Sequence, residues 1–219
     1  VQLDQLVLYL ERQPDTVQED HVDWGFRLSG IYGENYRYTT AYGIASYQLL
    51  KQNDVNGYDF PMVYGDLFIP QIGEGGLMLR LGRFISLPDI EAQLAPNNYM
   101  YSHSMTYAFD NYTNEGLQGT WGVTKNFFLQ LGVVSGTEAP PWHMNATEVN
   151  PDPGNPLYPG TTFKKDPGSM PSVTGCFRQN WNDGWDNING CADAINSGEW
   201  GYNNLQWYGL TAYHRFNDQ

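Results

Sequence analysis

The feature that most constrains this chain is a two-residue rhythm in DHVDWGFRLSGIY, residues 20–32. Val22, Trp24, Phe26 and Leu28 are large and apolar, whereas Asp23, Gly25, Arg27 and Ser29 between them are small, polar or charged. Successive residues of a β-strand point to opposite faces, so a strand here separates two unlike environments. Either a protein core lies on one side and water on the other, or lipid on one side and a water-filled channel on the other.

The rhythm recurs along much of the chain. Residues 2–13 set Leu6, Leu8 and Leu10 against Gln5, Val7, Tyr9 and Glu11. Residues 36–49 set Tyr36, Tyr38, Tyr42 and Ile44 against Arg37, Thr39, Ala41 and Gly43, which predicts another strand. Further strands are expected at 60–69, 76–87, 116–123, 126–134 and 203–216, separated by turn chemistry such as NDVNG and IGEGG. In 76–87, Leu77, Leu79 and Leu81 alternate with Met78, Arg80 and Gly82. Arg83 then falls in the leucine register, so it either snorkels toward an interface or follows a bulge at Gly82, and spacing does not choose. PDIEAQLA (88–95) has helical character for two turns only. Two longer connections interrupt the meander, at 86–112 and 136–199, and the second is expected to be a single external loop.

The polar face decides between the two environments. The outward face of a soluble sandwich is rich in Lys, Glu and Thr. Here the polar positions are Gly, Ser, Thr, Ala, Gln and Arg, opposite a face of Trp, Tyr, Phe and Leu. That is the pattern of a membrane-spanning barrel, apolar toward lipid and small or polar toward the lumen. Closed barrels also pair every backbone donor and acceptor, as hydrocarbon demands. Expected strands of about 9–14 residues fit a tilted bilayer crossing. The expected class is all-β, an antiparallel transmembrane β-barrel meander spanning 1–219 as one domain.

Composition excludes other functions. The 219 residues carry 11 Lys and Arg against 24 Asp and Glu, a net charge of −13, which opposes non-specific nucleic-acid binding and favours cations nearby. No apolar run reaches the length of a membrane helix, a test that does not register barrel strands. No GxSxG, HExxH, P-loop or CxxC pattern is present, and the Asp89/Glu91 pair is a weak match to glycosidase carboxylates, so no enzymatic activity is expected. NWNDGWDNINGC lacks the residue order of a calcium loop. Cys176 and Cys191 lie without nearby His, and zinc normally takes four ligands, so they read as a disulfide in the external loop. Such a link would stabilise by about 3 kcal/mol.

Candidate pore-lining residues are Asp23, Arg27, Arg37, Asp66 and Arg80, all in the small or polar register. A guanidinium in mid-strand needs water or a carboxylate. The 86–112 connection carries Asp89, Glu91 and His103, candidates for an inward-folded constriction. A second reading, a secreted carbohydrate-binding β-sandwich, would stack sugars on Trp142, Trp181 and Trp185.

Several stretches sharpen the choice. LDQLVLYLERQPDT with VDWGFRLSGIYGENYRYTTAYG resembles the start of the OmpL-like β-barrel porin family. LRLGRFISLPDIEAQLAPNNYMYSHSMTYAF followed by TNEGLQGTWGVTKNFFLQLGVVSG is similar to its next strands, and WYGLTAYHRFND to a later one. The resemblance implies an outer-membrane channel of diderm bacteria that passes ions or small solutes passively, without a cofactor. Its partners would be the outer-membrane bilayer and the permeating solutes, with a homo-oligomer or a complex with other envelope proteins compatible with the fold. The family also implies a longer chain ending on an aromatic residue. This chain ends RFNDQ, so it is expected to be the N-terminal part of a larger barrel.

Overall fold

The computed structural model describes residues 3–40, 44–52, 54–85, 113–135, 140–142, 171–195 and 206–216. Nine strands follow one another: β1 (Leu6–Arg12), β2 (Asp23–Gly33), β3 (Gly57–Ile69), β4 (Leu77–Ile85), β5 (Thr113–Gly122), β6 (Phe127–Val134), β7 (Ser172–Trp181), β8 (Asp186–Ile195) and β9 (Trp207–His214). All belong to one sheet in sequence order, each antiparallel to the next. The sheet is not closed: β1 and β9 are its two edges. In an alternating meander the first and ninth strands run the same way, so these edges cannot form an antiparallel pair with each other. An open, curled wall of this kind fits a partial barrel.

Connections differ between the two ends of the sheet. One end carries 13–22, 70–76, 123–126 and 182–185, and the other carries 34–56, 86–112, 135–171 and 196–206. Short connections at one end and long ones at the other are the usual asymmetry of outer-membrane barrels.

The ladder divides side chains into two faces. Leu28 pairs with Val63, Leu67 with Leu79, Leu81 with Leu117, and Leu129 with Phe177, all in the outward register. Trp24, Leu28 and Leu81 are exposed (55%, 48% and 65%), and no second sheet covers them among the described residues. Phe26 and Leu79 share that register and are half-buried by their neighbours, Phe26 in a stack with Trp24 at 6.1 Å. Outward aromatics also cluster by height. Trp24, Trp121 and Trp181 lie toward the turn end, and Tyr32, Tyr58 and Tyr208 toward the loop end, with Leu and Val between. Aromatic rings belong at the two membrane–water interfaces, where an apolar body and a polar tip are both satisfied.

The structure corrects three expectations. The described residues of 36–49, namely 36–40 and 44–49, are not a strand. Gly33, at φ 133°, ends β2, and Glu34–Tyr38 form a 3-10 turn, followed by a wide π-type turn at Gln48–Gln52. The Thr39 and Thr40 hydroxyls donate to the Tyr36 carbonyl at 3.1 and 2.7 Å, and the buried Tyr36 hydroxyl donates to the Asp54 carbonyl at 2.8 Å. These local bonds replace a ladder, and burial pushes the Tyr36 hydroxyl pKa above its usual value.

The 136–199 segment is not one external loop, because β7 and β8 form a hairpin within it. The disulfide therefore joins facing mid-strand residues, Cys176 and Cys191, rather than loop positions, with Cα atoms 4.1 Å apart. Alternation does not reveal this hairpin because two of its outward positions, Gly175 and Gly190, lack side chains and its inward ones are polar. Arg83 follows neither expected route. The ladder runs through Gly82 without a register shift, and Arg83 is buried.

Two outcomes follow from this fold. Leu28→Arg should destabilise the protein refolded in lipid vesicles by about 2–4 kcal/mol, the usual depth-dependent cost of a cation on the lipid face. A urea midpoint equal to wild type would place that face away from lipid. Alkylation of the unreduced, unfolded protein should label neither Cys176 nor Cys191, and labelling of both would refute the crosslink.

Candidate pore lining

Inward side chains come from alternate positions of neighbouring strands, and the pairing register aligns them in rows. Glu11, Arg27, Tyr64 and Gly82 form one row, and Gly25, Asp66, Arg80 and Gln118 the next. Four of the expected lining residues, Asp23, Arg27, Asp66 and Arg80, therefore share the inward register. Arg37 does not, because it sits in the 3-10 turn at the loop end, where its Nη2 donates to the Asp54 carbonyl at 2.7 Å. Asp89, Glu91 and His103 lie outside the described residues.

Arg27 and Arg80 are each held by a carboxylate and an aromatic ring. Arg80 binds Asp66 with two parallel bonds, Nε to Oδ1 at 2.8 Å and Nη2 to Oδ2 at 2.9 Å, and its guanidinium lies 3.9 Å from the Tyr64 ring centre. Such forked, charge-assisted pairs fix orientation better than single contacts. Arg27 reaches Glu11 at 3.3 Å and lies over the Tyr9 ring at 4.8 Å. Both pairs link adjacent strands, so each also holds the register of the wall. Asp23 serves the turn end: its Oδ1 takes Arg12 Nη2 at 2.8 Å, and its Oδ2 accepts the Asp15 backbone N–H at 2.8 Å.

Two lining features and one loop-end anchor escape a reading of the sequence. Glu11, Tyr9 and Tyr64 become partners of the arginines only once the register is known, although strict alternation in β1 already puts Tyr9 and Glu11 on one face. The disulfide, from Cys176 and Cys191, is inward and nearly buried. Arg83 anchors the loop end. Its Nη1 and Nη2 bind Asp59 at 2.9 and 3.1 Å, and its Nη2 donates to the Thr39 carbonyl at 2.6 Å. It thereby ties the segment after β2 to β3 and β4, and Glu115 lies 3.5 Å from its Nε.

The tryptophans of the carbohydrate reading do not form one platform. Trp142 lines a groove at the loop end with Phe60, Leu81 and Pro141, whereas Trp181 and Trp185 lie at the turn end. Arg215 covers the Trp185 ring at 4.2 Å. With one sheet and no facing partner, a β-sandwich is also excluded for the described residues. No cluster of three or more metal-ligating side chains occurs among the described residues. The arrangement is a two-faced wall, with hydrocarbon-compatible residues on one side and paired charges, amides and hydroxyls on the other.

No curated protein and no solved structure gives a significant match to the chain. A family model, described as "Putative beta-barrel porin-2, OmpL-like", matches residues 1–217. With an antiparallel meander, aromatic belts and a charged inner face already evident, this match over nearly the whole chain settles its kinship: the protein belongs to the OmpL-like β-barrel porin-2 family.

Proposed function

We propose that the chain is a single-domain part of the wall of an outer-membrane pore through which ions and small solutes diffuse passively, without catalysis or a cofactor. One observation carries this reading. The same continuous ladder presents an apolar face with two aromatic belts and, one residue out of phase, a face of ion-paired side chains. Only a boundary between hydrocarbon and water uses both faces at once. The free edges β1 and β9 are then completed by further strands running antiparallel to each, because open edges are not tolerated in hydrocarbon.

Asp23, Arg27, Asp66 and Arg80 line the lumen in this reading. The pairs Arg27–Glu11 and Arg80–Asp66 leave little net charge along that part of the wall. The chain's excess of acids elsewhere, a net charge of −13, raises the local cation concentration at the mouths. Charges at the lining tune which sign of ion passes. Arg80 is the informative residue, because its removal leaves the Asp66 carboxylate facing the lumen without its guanidinium.

The test uses protein extracted from outer membranes in detergent and inserted into planar bilayers. Wild type should show discrete conductance steps, and their absence would overturn the pore reading. Arg80→Gln should shift the reversal potential in a salt gradient toward cation selectivity, with the folded form checked by heat-modifiable gel mobility. Reversal potentials that coincide would remove Arg80 from the residues that set selectivity.

A further inference from the structure

Two hollows lie side by side on the outward face toward its loop end, each of about 480 Å³. Phe60 and Val63 of β3 line both, so these two side chains form the ridge between them. The ladder explains the ridge. Ser29 faces Met62 and Ile31 faces Asp59, so β3 carries one extra residue there. That bulge lets Phe60 and Val63 both emerge outward although they stand three positions apart (53% and 40% exposed). Glycines make the hollows on either side. Gly30 holds an outward position opposite Leu8, where a larger side chain would occupy the first hollow. The second lies over Gly82 and Gly116, walled by Leu81, Pro141 and Trp142. A Cβ at Gly82 would come within 2.2 Å of the Val63 carbonyl oxygen, so no side chain fits there.

The turn after β2 borders both hollows at the loop end. Its Gln48 is buried and acts as a substitute strand: Nε2 donates to the Tyr58 carbonyl at 2.9 Å, and Oε1 accepts the Tyr58 N–H at 3.0 Å. The turn is thereby fixed against β3. Ile44 of this turn reaches the second hollow, and the Tyr47 hydroxyl meets that of Tyr58, which lines the first, at 2.8 Å. The tyrosine pair is exposed and uses one of its two hydroxyl protons internally, which leaves the other to donate outward.

We propose that this surface is a fixed binding site for one diacyl lipid of the loop-side leaflet, its two chains lying astride the Phe60–Val63 ridge. The site rests on the lipid-facing reading of the outward face given above and adds a particular ligand to it. An apolar hollow in contact with hydrocarbon fills with acyl chain, because a gap forfeits the dispersion contacts of its lining. Two hollows of one size divided by a single ridge match both chains of one molecule. The tyrosine hydroxyls stand in the loop-end aromatic belt, the height at which acyl linkages lie, and donate to an ester carbonyl. Arg83 is the one cation among the lining residues, and Asp59 already holds it, so recognition is by chains and linkage rather than by head-group charge.

Native mass spectrometry of the membrane-extracted protein, delipidated in detergent and mixed with dioleoyl phosphatidylethanolamine, tests this. Wild type should keep one lipid at a collision energy that strips detergent and all other lipid. Gly30→Leu should lose it, because the leucine fills one hollow while its Cβ meets nothing nearer than 3.5 Å. Gly119→Leu places the same side chain at an outward glycine toward the turn end, where the nearest atom lies at 3.4 Å, and should keep the lipid. Single-chained lysophosphatidylethanolamine should not be retained by wild type. Both variants are checked for the folded form by heat-modifiable gel mobility. Wild type that keeps no lipid, equal retention by wild type and Gly30→Leu, or equal retention of the one- and two-chained lipids would overturn the site. Wild type that keeps the lipid but passes no current in planar bilayers would uphold the site and defeat the pore reading.

Discussion

Everything in this wall depends on an unbroken antiparallel ladder. Hydrocarbon offers no partner to a peptide N–H or C=O, so each strand must satisfy its backbone through its neighbours. Eight consecutive pairings do so here, from β1·β2 to β8·β9. The ladder also fixes which residues meet which medium. A slip of one residue between β3 and β4 would bring Leu79 to the inner face and Arg80 to the apolar outer face. The cost of a guanidinium in hydrocarbon penalises that slip, and the Arg80–Asp66 fork rewards the native register. The lining thus stabilises the same register that the outward leucines require.

The inner face solves a different problem. A pore wall needs polar groups that stay ordered beside water without collapsing the lumen. Arg27 and Arg80 are each clamped between a carboxylate on one neighbouring strand and an aromatic ring, so neither side chain is left loose on the inner face. The disulfide between β7 and β8 adds a covalent rung on that face, while outward the Phe177 ring covers Gly190. At the loop end, Arg83 bonds to Asp59 and to the Thr39 carbonyl, so the segment after β2 is held to the wall.

Alternation made most of this legible in the sequence. In β1, β2 and β4 bulky residues stand at successive outward positions, and their facing follows from that spacing, whereas β9 carries aromatic residues in both registers and its facing does not. The shared inward register of Asp23, Arg27, Asp66 and Arg80 follows too. The β7–β8 hairpin was illegible for the reverse reason: glycine stands at outward positions, and cysteine, asparagine and aspartate inward, so hydropathy does not oscillate. Residues 36–49 misled in the opposite sense. Their tyrosines alternate by spacing, but Tyr36 is buried in a turn closed by threonine hydroxyls, and Arg37 is drawn to a loop carbonyl. Contacts between distant strands, such as Asn114 with Asp193, depend on sheet curvature, which no local pattern encodes.

The central claim is that one ladder separates lipid from water, and site-directed spin labelling tests it most directly. Nitroxides placed singly at Met78, Leu79, Arg80 and Leu81 in vesicle-reconstituted protein would be probed with oxygen, which partitions into lipid, and with a polar nickel chelate. The account predicts oxygen accessibility that peaks at Leu79 and Leu81, with the chelate favouring Met78 and Arg80. Equal accessibility along all four positions, or oxygen maxima at Met78 and Arg80, would contradict it.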